Sequence, residues 1–82
     1  MANQIQSVNF YTLVADQLFS GLNTISILNL SADAMYIENV DNAQIITLNK
    51  NQSVSLSASA GFVLPSLNLS TAGTMNASVI TT

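Results

Sequence analysis

The chain of 82 residues contains no cysteine, histidine, arginine or tryptophan. Without cysteine no disulfide braces a domain this short, which buries only about 60% of the surface its unfolded chain exposes. Without histidine or cysteine a zinc site is close to excluded, and so are the common nucleophile–base pairs. One lysine and no arginine cannot neutralise a run of phosphates, so nucleic acid is not an expected partner. The glycines, Gly21, Gly61 and Gly73, are too scattered for a phosphate-cradling loop. The start, Met1-Ala2-Asn3-Gln4, has no basic segment and leads into no long apolar run. Neither a secretory leader nor a membrane span is therefore expected.

Charge is scarce as well. The charged side chains are Asp16, Asp33, Glu38, Asp41 and Lys50, 6% of the chain, where ordinary soluble domains carry roughly 25%. A net charge of -3 is too small to imply a cationic partner. At 49% hydrophobic residues, the chain is too apolar for disorder driven by polarity and charge. The remaining polarity comes from Ser, Thr, Asn and Gln, which predicts a neutral surface of hydroxyls and amides. Such a surface offers little repulsion between copies, so assembly is the expected route to robustness.

From Asn23 onwards the chain reads as strands and turns, which predicts one small all-β domain over 21–82, an antiparallel β-sandwich or barrel. The clearest strand is Gln52 to Ala60, where Val54, Leu56, Ala58 and Ala60 alternate with Ser53, Ser55, Ser57 and Ser59. Asn49-Lys50-Asn51 is turn chemistry, and the β-branched run Ile45-Ile46-Thr47 precedes it, so a hairpin is expected there. Thr24 to Leu30 sets Ile25 and Ile27 against Ser26, and Asp33 to Val40 sets Met35 and Ile37 against Tyr36 and Val40. Downstream, Ala60-Gly61 marks a bend and Pro65 a strand start or edge. Leu67 and Leu69 alternate in the strand that follows, and Met75, Ala77 and Val79 in the last.

Residues 1–20 are the least regular segment. Phe10, Leu13, Val14 and Leu18 fit a helical stripe, but an extended N-terminal arm or attachment strand is favoured. Phe10, Tyr11, Leu18 and Phe19 are its expected exposed assembly groups.

Little here suggests catalysis, and no catalytic or metal residues are assigned. A Ser–Lys dyad would need a desolvated lysine, whereas Lys50 lies in an expected exposed turn. Asp33, Glu38 and Asp41 are the only carboxylates near one another in sequence, and turn formers on a wet edge are the simpler reading. Tyr36 beside Glu38 and Asn39 suits a sugar patch, but a half-buried strand tyrosine explains it as well. The Asn-x-Ser triplets at Asn29, Asn51, Asn68 and Asn76 follow from composition. The most patterned polar feature is the row Ser53, Ser55, Ser57 and Ser59, a candidate strand-edge contact, because no charge blocks pairing with another chain.

One stretch resembles a known group. It runs from Ile27-Leu28-Asn29-Leu30 through Asp33-Ala34-Met35-Tyr36-Ile37-Glu38-Asn39 and Ile45-Ile46-Thr47-Leu48. Asn51-Gln52-Ser53, Gly61-Phe62-Val63-Leu64-Pro65, Leu67-Asn68-Leu69-Ser70 and Gly73-Thr74-Met75 follow, and Ala77-Ser78-Val79-Ile80 ends it. This pattern, about two-thirds of the chain, resembles small accessory virion proteins of tailed bacteriophages. The family usually has glycine in the turn where Asn51 stands. The resemblance implies a non-enzymatic virion structural protein without cofactors, such as a capsid decoration, head-fibre or tail-associated subunit. It would be made in the host cytoplasm as a homo-oligomer, with a major capsid, tail or fibre protein as partner and no nucleic acid or membrane. A carbohydrate-binding or adhesive module and a self-assembling fibre subunit are the alternatives; the lack of tryptophan counts against the first.

Overall fold

Alternation of apolar and polar residues, sustained over five or six positions at a time, builds the sheets. The computed structural model describes residues 7–82 and contains, among them, eight strands and no helix. These are β1 (Asn9–Leu13), β2 (Gln17–Phe19), β3 (Thr24–Asn29), β4 (Met35–Asn39), β5 (Gln44–Leu48), β6 (Ser53–Ser57), β7 (Leu67–Thr71) and β8 (Ala77–Thr81). They form two four-stranded sheets, β1-β8-β3-β6 and β2-β7-β4-β5, with every neighbouring pair antiparallel. Only the β4–β5 connection stays within one sheet; every other loop crosses to the opposite one. That order is a jelly roll, a sandwich of two interleaved Greek keys.

The core lies between the sheets. Ile25, Ile27, Ala77 and Val79 face inward from the first, and Met35, Ile37, Leu67 and Leu69 from the second, all buried. Register aligns them: Ile27 sits opposite Val79, and Ile37 opposite Leu69. Leu13, Phe19, Leu48 and Met75 complete the cluster. The alternation read from Ile25, Ile27, Met35, Leu67, Leu69, Ala77 and Val79 therefore identified the buried faces of the central strands.

Two expectations need correction. The runs on either side of Asn49-Lys50-Asn51 are not a hairpin, because β5 pairs with β4 and β6 with β3 in the other sheet. The turn instead carries the chain across the sandwich. Asn51 takes the left-handed position there (φ 64), and its N–H donates to the Asn29 carbonyl at 2.7 Å. Nor do residues 1–20 divide from the rest at residue 20. Of that segment, β1 pairs with β8 and β2 with β7, so both are edge strands of the sandwich; residues 1–6 lie outside the described part.

One end of the molecule is pinned by a buried polar cluster. Asn29, fully buried, donates from Nδ2 to the carbonyls of Asp33 (3.1 Å) and Leu48 (2.8 Å), while its Oδ1 accepts from the Ser31 N–H (2.9 Å). Ser31 Oγ in turn donates to the Asn76 carbonyl and accepts from the Asn76 N–H. Burial of this kind is tolerated only because the groups are partnered.

Candidate assembly surface

A jelly roll has four sheet edges, here β1 and β6 in one sheet, β2 and β5 in the other. None of the four strands carries a charged residue; the one charge in any strand is Glu38, in the interior strand β4. Asp16, Asp33, Asp41 and Lys50 all sit in loops. Free monomers normally guard such edges with charge, proline or bulges.

The two sides of the sandwich differ. At the β1/β2 side the rings of Tyr11 and Phe19 meet edge to face, centroids 5.3 Å apart, and close one sheet onto the other. At the β5/β6 side the sheets gape. A cleft of about 300 Å³ opens there, lined by Ile37, Ile46, Leu56, Leu64, Pro65 and Leu67. Ile46 should be a core residue by its register opposite Ile37, yet it is 48% exposed, because none of the described residues covers β5.

The outer faces are sparsely charged and partly apolar. On the first sheet Phe10 (76% exposed) stands opposite Ile80, Ile80 opposite Ser26, and Ser26 opposite Ser55. The hydroxyls of Ser26 and Ser55 are hydrogen-bonded at 3.0 Å. On the second sheet Leu18, Asn68, Glu38 and Ile45 form a comparable row.

Of the four aromatic and aliphatic groups expected to be exposed near the N-terminus, Phe10, Tyr11 and Leu18 are on the surface. Phe19 is not. It is buried in the core, since it faces inward from β2 opposite Leu67. Ser53, Ser55 and Ser57 lie on β6 and are exposed; Ser59 is exposed but lies beyond the strand's end. Tyr36 is partly exposed, flanked by Ser70 and Thr47. Among the described residues no three acidic side chains come together as a metal-holding group, and no helix is long and apolar enough to cross a membrane.

The backbone of β6 has a defined polarity. At its two ends the Ala58 N–H donates to the Asn23 carbonyl and the Asn29 N–H to the Gln52 carbonyl. Even-numbered residues therefore turn their polar groups towards β3. In an antiparallel ladder the intervening residues point the opposite way, so Ser53, Ser55 and Ser57 present N–H and C=O to the free edge.

Sequence reasoning marked the serine row but missed the cleft and the exposure of Ile45 and Ile46. The two consecutive isoleucines were the available signal, since they cannot both face one core. No protein-family model, curated protein or solved structure matches this chain.

Proposed function

We propose that the chain is a non-enzymatic structural subunit of a virion, a capsid-decoration or head- or tail-associated protein. It works by assembling with copies of itself or onto a larger shell or fibre protein. The observation that carries this reading is the absence of charge from all four edge strands. Unguarded edges beside an open apolar cleft favour a covered state over a solitary one. The exposed Phe10–Ile80 pair adds a patch that a partner would bury. Jelly rolls recur in viral shell proteins, which supports the reading by analogy of fold.

The test is mass spectrometry of density-purified particles from a culture producing the chain. The reading expects the chain in the particle band at a fixed ratio to the major shell protein. Recovery only in the soluble fraction contradicts it.

A further inference from the structure

We infer that the free edge of β6 is a two-fold seam between two copies of this chain, with the axis passing beside Ser55. The inference rests on the assembly reading above and names the surface that such assembly uses.

Ser53, Ser55 and Ser57 each direct one N–H and one C=O to the open edge, as the Ala58–Asn23 and Asn29–Gln52 bonds require. An antiparallel second copy centred on Ser55 sets Ser55 opposite its twin and Ser53 opposite Ser57 of the other chain. Every edge group of the strand then meets a complementary group, with none left over. The result is an eight-stranded sheet running through the axis.

The side chains agree. Ser-Val-Ser-Leu-Ser has the same polarity pattern read in either direction. On the outer face serine meets serine, continuing the hydroxyl contact between Ser26 and Ser55. On the inner face the half-buried Val54 of one chain meets the half-buried Leu56 of the other, at the mouth of the cleft that Leu56 lines. The other long edges lack this property. Centred self-pairing of β1 sets Asn9 against Leu13, and that of β5 sets Gln44 against Leu48.

Charge is compatible too. No charged residue lies between Asn51 and Thr82, so the seam itself brings no like charges together. Lys50 of one chain falls level with Ala60 of the other, within a neutral stretch. A two-fold contact of this kind uses the same patch on both copies and closes upon itself. It covers one of the four edges and stops there, which gives a discrete particle in place of a fibre.

Because the chain has no cysteine, single introduced thiols report the register directly. Directly opposed residues in a hydrogen-bonded antiparallel pair have Cα atoms about 5.5 Å apart, within disulfide range. Mild oxidation of Ser55→Cys is therefore expected to give a covalent dimer. Ser53→Cys alone and Ser57→Cys alone are expected to stay unlinked, their twins being about 13 Å apart, four residues along a strand. An equimolar mixture of those two variants is expected to link. Ser55→Pro removes an N–H that faces the edge and not β3, so it should leave a folded monomer by circular dichroism and light scattering. Equal linking at all three positions, or an unlinked chain that light scattering still finds oligomeric, overturns the seam and leaves the assembly reading standing. A folded chain that is monomeric at every concentration and never links overturns the seam and the self-assembly half of the reading above, leaving only docking onto a larger shell or fibre protein.

Discussion

The side-chain amide of Asn29 donates to the carbonyl of Leu48 at 2.8 Å, a buried hydrogen bond that runs from β3 in one sheet to β5 in the other. Apolar packing holds the sheets face to face but does not fix their sliding. A directional bond to a backbone carbonyl does, and Asn29 anchors the Asp33 and Ser31 segments at the same point. Replacing Asn29 with alanine strands two carbonyls and one N–H in a buried site. Each orphaned group costs about 1–3 kcal/mol before relaxation. We expect Asn29→Ala to lower stability by about 3 kcal/mol or more, read as a fall in the urea midpoint.

Thr81 illustrates the opposite case. It is fully buried on β8, and its hydroxyl has no hydrogen-bond partner among the described residues. Valine has nearly the same shape and no polar group to strand. Thr81→Val is expected to raise stability by about 1 kcal/mol, from the removed desolvation cost of the hydroxyl. A lower melting temperature would show that the hydroxyl has a partner in solution.

The β4–β5 hairpin carries a local strain. Ala43 closes its turn with φ 52, a left-handed conformation that crowds Cβ against the backbone. This costs an alanine roughly 1–2 kcal/mol, whereas glycine avoids it at some loss of unfolded-state restraint. Ala43→Gly should therefore stabilise the fold by about 0.5–1 kcal/mol. In a domain of this size that corresponds to a rise of a few degrees in Tm by calorimetry.

Phe10 and Phe19 look alike in sequence and differ in place. Phe19 packs in the core against Tyr11, so Phe19→Ala is expected to cost about 3–5 kcal/mol. Phe10 projects from the outer face, so Phe10→Ser should change the stability of the folded monomer by no more than about 0.5 kcal/mol. The comparison is made by chemical denaturation of both variants.

The central strands were legible because each alternates cleanly. Ile25 and Ile27 against Ser26, or Leu67 and Leu69 against Asn68, can satisfy a sandwich in only one orientation. What alternation cannot carry is which strands are neighbours. The run Ile45-Ile46-Thr47 and the serine strand after it looked like a hairpin because they are close in sequence. In a jelly roll they belong to different sheets: β5 pairs with its neighbour β4, while β6 pairs with β3, tens of residues earlier. The first 20 residues were obscure for a related reason. Edge strands bury little, so β1 shows exposed residues at four of five positions and no clear period. The serine row was legible from its alternation with apolar residues and its lack of charge, though Ser59 lies past the strand's end, whereas the cleft depends on the gap between two sheets that no local pattern describes.

The free, uncharged edge of β6 is expected to be covered by a second copy of the chain. Light scattering of the purified protein over a dilution series tests it most directly. A discrete closed oligomer, with the dimer as its smallest unit, is expected to persist as the protein is diluted. A well-folded monomer at every concentration would contradict it.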